Sequence, residues 1–227
     1  MLVLGAIAIV LGLVIFVGPQ LWTKHVLSKH GADRPDCPGT GAELARHLIA
    51  EHGLEGVTVE RLPDDSDHYD PQARAIRLSP RVYDGRSVTA VTVAAHEFGH
   101  ALQDHQGDPG LRRRTVLVKQ VFWIDRIGSG ILMLAPLALF LPAVRGVGVV
   151  ILLTGIGLSL VRVVVHMLTL PVELDASFRK ALPILKQGGY LPEEEMPAAR
   201  NILRACAMTY VSASLMSVLN LLRWIRR

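Results

Sequence analysis

Long apolar runs alternate with polar stretches along this chain. The first run covers residues 2–17 and extends towards Trp22. It has no basic leader and no small-x-small cleavage site, and Lys24, His25 and Lys29 follow it. That pattern predicts an uncleaved membrane anchor over 1–22, its far end in the cytoplasm. Two further runs, 127–144 and 147–165, are joined at Arg145-Gly146 and predict a transmembrane hairpin over 127–166. Pro136 and Pro142 interrupt its first leg, which spanning helices tolerate better than soluble ones. The last run, 206–222, carries Thr209, Tyr210, Ser212, Ser214, Ser217 and Asn220. It is too polar for a lipid-facing span and is expected to pack on other helices or lie at the interface.

Between the runs the spacing changes. Leu44, Leu48 and Ile49 recur at helical intervals within 42–52, with Gly53 as the stop. Residues 57–59 read as a short strand, and 75–79 alternate apolar and polar as a half-exposed strand does. Asp64-Asp65-Ser66-Asp67 between them is turn-prone. Ser87 is placed to cap a helix running through Val88, Val91, Ala94, Ala95, Phe98 and Leu102, with Gly107 and Pro109 ending it. The predicted organisation is an anchor over 1–22, a polar region over 23–126, the hairpin over 127–166, and closing helices over 167–227.

Composition sharpens this picture in two places. The chain is 50% hydrophobic, with a mean hydropathy of +0.35, yet only 5% aromatic, so its apolar residues are concentrated in the runs. The net charge of +4 suggests nucleic acid, but Arg112-Arg113-Arg114 and the arginines of 223–227 sit beside apolar runs. That placement excludes a phosphate-binding groove in favour of membrane flanks. Cys37 and Cys206 stand far apart in no CxxC pattern and read as free thiols.

The chemistry is concentrated in Ala95-His96-Glu97-Phe98-Gly99-His100-Ala101. On a helix, residues four apart share a face, so His96 and His100 can hold one zinc. Zinc lowers the pKa of a bound water towards ~7, and Glu97, one residue past His96, is placed to take its proton. Two surface histidines on an amphipathic helix are the bland alternative. Against it, the motif is embedded in Ala, Val and Phe, and burying three such groups without a metal is costly. A catalytic zinc needs a third protein ligand. His105, expected just past the helix end, would reach the site only with unfavourable geometry, while Glu173 follows the hairpin in Leu170-Pro171-Val172-Glu173-Leu174-Asp175-Ala176 and is the better candidate. Two membrane crossings between His100 and Glu173 would return both to one side. A helix N-terminal carboxylate after Pro171 is the other reading of Glu173.

Asp67-His68-Tyr69-Asp70-Pro71, Ile76-Arg77-Leu78-Ser79 and the stretches 94–103, 170–177 and 203–211 together resemble the YugP-like family of bacterial membrane zinc metallopeptidases. The chain is more distantly similar to the HtpX-type and CAAX-prenyl-protease metallopeptidases, which pair HExxH with an ExxAD motif. Glu173-Leu174-Asp175-Ala176 fits the first four positions, but Ser177 stands where the carboxylate is usual, and Asp175 is the nearest replacement. The resemblance implies a mainly α membrane protein with a gluzincin-like catalytic domain and a small β-sheet. It implies His96, His100 and Glu173 as ligands of one zinc per chain. It also implies that Asp67 to Leu78 form a substrate-binding edge strand, with His68 stabilising the oxyanion and Tyr210 as a second candidate.

The function expected is a membrane-anchored zinc endopeptidase, with Glu97 as general base, in the bacterial cytoplasmic membrane and facing the cytoplasm. Its partners would be a peptide or membrane-protein substrate and membrane lipid, with no nucleic acid. The alternative is a non-catalytic membrane protein with a structural or regulatory zinc, which Glu97 argues against, since a closed site needs no base. A transporter would need a polar pathway that these runs lack.

Overall fold

The computed structural model describes residues 17–140 and 145–208. The expected anchor helix therefore falls largely outside the described residues, and so do Tyr210 and the last apolar run.

The elements in order are α1 (17–29), α2 (Gly41–Glu51), β1 (Thr58–Arg61), β2 (His68–Asp70), β3 (Ala75–Leu78), α3 (Pro80–Tyr83) and α4 (Val88–His105). Next come α5 (Pro109–Phe140), α6 (Arg145–Leu174), a π-helical segment (Asp175–Ala181), α7 (Leu182–Gln187), a 3-10 turn (Glu193–Glu195) and α8 (196–208). The chain falls into two compact units, one built on Arg113–Thr169 and the other on Pro19–Arg112 and Leu170–Thr209. The second unit carries all the chemistry described below.

Local signals account for the element boundaries. Thr40 and Glu43 form a capping box at the start of α2, each side chain bonding the other's backbone N–H at 3.2 and 2.7 Å respectively. The Ser87 hydroxyl accepts the Ala90 N–H at 3.1 Å and starts α4. Asp108 accepts the Gly110 N–H at 2.6 Å, with Pro109 between them at the first position of α5. Pro109 thus opens the next helix as well as following the last, because its missing N–H has no partner to lose there.

α4 is the core of its unit. Every residue from Val88 to Ala101 is buried, between α2, α3, the sheet, the π segment and α7. Leu48, Leu54, Ile76, Leu78, Phe98, Leu185, Ile202 and Leu203 fill the space around it.

The sheet corrects one expectation. Its order is β1-β3-β2, with β1 parallel and β2 antiparallel to β3. Residues 67–78 are thus not one edge strand: β2 is an edge and β3 is the centre. Asp70 makes the turn between them, accepting the N–H groups of Gln72 at 2.9 Å and Ala73 at 3.3 Å. From β3, Arg77 bonds Glu60 on β1 at 2.8 Å and Asp70 on β2 at 2.6 Å, pinning both edges to the centre.

The transmembrane hairpin is also corrected. Among the described residues, no helix is long and apolar enough to cross a membrane. α5 begins well before the expected leg and carries Arg112, Arg113, Arg114, Lys119 and Arg126 ahead of Ile127, charges that a bilayer interior does not accept, and neither the rest of α5 nor the described residues of α6 offer a sufficient run. Paired membrane crossings therefore do not bring Glu173 back to the histidines. Glu173 and the histidines meet instead because the π segment that follows Glu173 packs directly on α4.

Candidate metal centre

His96 and His100 project from successive turns of α4, their rings 4.8 Å apart between centroids and inclined at 77°. Glu173 enters from the last turn of α6, two residues after Pro171. Its Oε2 lies 3.5 Å from His96 Nε2 and 3.2 Å from His100 Nε2. The three ligand atoms all lie within 4.8 Å of one another, and all three residues are buried. Among the described residues this is the only group of three or more His, Cys, Asp or Glu side chains so placed. His105, the last residue of α4, is not part of it.

A Cβ on Gly99 would stand 2.7 Å from the Ala176 carbonyl oxygen, so glycine at this position is what lets α4 and the π segment approach backbone to backbone.

The hydrogen bonds around the imidazoles decide their tautomers. The Ser177 hydroxyl donates its single proton to the Leu203 carbonyl at 3.2 Å, so its oxygen accepts from His96 Nδ1–H at 3.0 Å. Gln103 Nε2 donates to the Val172 carbonyl at 3.0 Å and to Asp175 Oδ2 at 2.9 Å, which turns its Oε1 towards His100 Nδ1 at 2.8 Å. Both rings then carry their proton on Nδ1 and present an Nε2 lone pair towards Glu173. Two imidazole nitrogens, each oriented through a second bond, and a buried carboxylate oxygen are a donor set that suits zinc.

Ser177 and Gln103 are the residues that sequence reasoning missed. Ser177 occupies the position where the ExxAD pattern puts a carboxylate, and it bonds His96 itself. Asp175 reaches His100 only through Gln103. For Gln103 a signal was present: it stands seven residues after His96 and three after His100, on the same helical face.

Electrostatics around the centre are dominated by carboxylates. Burial works to raise the Asp175 pKa, but bonds from Lys180, at 2.6 Å, and Gln103 together hold it below the usual carboxylate value. Burial raises that of Asp67, against a 2.7 Å bond from the Ser79 N–H. Burial also pushes the Cys206 thiol well up, and the negative charges of Glu97, Asp67 and Glu173 add to the effect. A thiol kept protonated is a poor metal ligand.

Glu97 follows His96 on α4 and is buried at 6% exposure. His68 is not among the grouped ligands. It sits half-buried on β2, opposite Arg77 in the register, and burial followed by the Arg77 charge lowers its pKa. Beside it Tyr69 points inward and donates to Asp104, near the end of α4, at 2.8 Å. That bond ties the sheet edge to the helix carrying the histidines.

The family described as "Putative neutral zinc metallopeptidase" matches residues 5–227. The chain is 39% identical over 207 residues to the "Putative membrane protease YugP" of Bacillus subtilis (strain 168), an alignment covering 91% of this chain and 88% of that protein. No solved structure matches the chain.

Proposed function

This chain belongs to the neutral zinc metallopeptidase family, and from that premise we propose that it is a zinc-dependent endopeptidase acting on extended polypeptide. The observation that carries the reading is the buried meeting of His96, His100 and Glu173, with both imidazoles presenting Nε2. These three residues would hold one zinc, which supplies Lewis-acid polarisation of a carbonyl and a water acidified towards ~7. Three protein ligands leave one coordination position open, as catalysis requires and a structural site does not.

Glu97 is the general base of the proposed reaction. It takes a proton from the attacking water and delivers it to the departing amine, which balances the hydrolysis of one peptide bond. Among the described residues β2 lies at the edge of the sheet, which supports binding of an extended peptide as an added strand. His68, on that strand, is the proposed donor to the developing oxyanion. Its lowered pKa favours the neutral ring, which keeps one N–H to donate. Tyr210 is the second candidate for that role.

The B. subtilis relative is called a membrane protease, and we carry membrane association over to this chain. Exposed apolar side chains support it, among them Trp123, Met133 and Leu137 on α5 and Val150 and Leu153 on α6.

The test is hydrolysis of an unfolded protein by the zinc-loaded chain, the chelator-treated chain and Glu97→Gln. Chelation abolishes cleavage under this reading, and Glu97→Gln lowers it by about 10²–10⁴-fold while still binding zinc. Undiminished cleavage by Glu97→Gln would remove the base and leave a structural zinc as the better account.

A further inference from the structure

We propose that Gln103 is a positioning residue that couples the histidine-bearing face of α4 to the segment carrying Glu173 and holds His100 with its proton on Nδ1. The inference rests on the metal reading above, but it concerns contacts within the chain itself.

Gln103 has no exposed surface, an uncommon situation for an amide side chain. Its polar capacity is nevertheless in use on both sides. One amide hydrogen goes to the Val172 carbonyl, the other to Asp175, and the oxygen faces His100. The amide can be oriented in only one way. Its NH₂ must face the two acceptors, since reversing it would set the oxygen against a carbonyl and a carboxylate. The oxygen is thereby committed to His100 Nδ1, and it can only accept. A single side chain thus translates the position of two acceptors, one in the last turn of α6 and one at the start of the π segment, into the protonation site of a ring on α4.

The same side chain fixes Glu173. Val172 is the preceding residue, and its carbonyl belongs to the peptide plane from which Glu173 departs. Pro171 removes one backbone donor from this part of α6, and regular α winding gives way to π winding at Asp175. The backbone carrying Glu173 is thus held from outside its own helix, by Gln103. On the far side, Lys180 bonds the same Asp175 oxygen and keeps that carboxylate an acceptor. The chain of contacts runs Lys180, Asp175, Gln103, His100, and a branch at Val172 leads to Glu173.

Two substitutions separate these functions. Gln103→Met keeps length and volume but removes every bond. Gln103→Glu keeps an acceptor for His100 and sets a carboxylate against Val172 and Asp175. Two readouts apply to the full-length chain. One is the His100 tautomer in the metal-free protein, from long-range ¹⁵N–¹H correlations of labelled histidine. The other is zinc affinity by competition with a chelator. Folded Gln103→Met is expected to lose the Nδ1–H preference of His100 and bind zinc about 10–100-fold more weakly, while Gln103→Glu retains the tautomer. If either readout is unchanged in folded Gln103→Met, the proposal is overturned. If that variant does not fold, Gln103→Glu decides: Nδ1–H on His100 supports the coupling, and Nε2–H overturns it. A wild type that binds no zinc would end the peptidase reading, while the tautomer would still judge Gln103.

Discussion

Gly99, in the middle of the motif helix, faces the carbonyl oxygen of Ala176 so closely that a Cβ would lie 2.7 Å from it. Alanine is normally better than glycine inside a helix by about 1 kcal/mol. Here the sign reverses. Gly99→Ala forces α4 away from the π segment, at an overpacking cost of about 1–3 kcal/mol, and draws Glu173 away from the histidines. Denaturant melts should show destabilisation together with weakened zinc binding. A more stable variant with normal zinc affinity would contradict the packing argument.

Ser177→Ala removes the acceptor of His96 Nδ1–H in a fully buried setting. An unsatisfied buried donor costs about 1–3 kcal/mol, and loss of such an orienting bond costs about 10–100-fold in metal affinity. Chelator competition and thermal melts would record both. Effects confined to stability would mean that Ser177 packs the core without orienting His96.

Tyr69→Phe cuts the bond between β2 and Asp104. A hydrogen bond to a charged group contributes about 1.5–3 kcal/mol, so a loss of that order is expected. Because the sheet edge is the proposed peptide site, KM should rise more than kcat falls. Zinc content should stay at the wild-type level, since the bond that is lost goes to Asp104 and not to a proposed ligand.

His68 titrates below its ordinary value of 6.5 because burial and Arg77 disfavour the cation. Below 6.5 the unfolded chain therefore binds more protons at this residue than the folded one. Its contribution to stability is complete above 6.5 and declines as the pH falls towards the folded value. An NMR titration should place His68 below 6.5 and move it upward in Arg77→Gln. A wild-type value above 6.5 would remove the neutral donor on which the oxyanion role depends.

Much of the unit around α4 was legible in the sequence because its signals are local. Ser87 as a cap, the helical spacing of 42–52 and the alternation after Ala75 each depend on a few adjacent residues. The pairing of His96 with His100 follows from a spacing of four. The position of Glu173 beside them is a long-range fact, reached in the sequence through a hairpin that the structure does not support and through the family resemblance. The division of 67–78 into an edge and a central strand depends on Asp70 folding the chain back, a turn set by one side chain bonding two backbone groups. The bonds of Ser177 and Gln103 join residues 81 and 72 positions apart, which periodicity cannot register. The two apolar runs of the expected hairpin misled for a different reason: hydrophobicity along a sequence does not fix whether a helix crosses a bilayer, and no described helix qualifies.

The most direct test of the central claim is the zinc content of purified wild type and Glu173→Ala. The account predicts about one zinc per wild-type chain, as a mononuclear site requires, and its loss from a folded Glu173→Ala chain. Full zinc retention in Glu173→Ala would contradict the ligand set. A wild type without zinc under metal-replete conditions would contradict the peptidase itself.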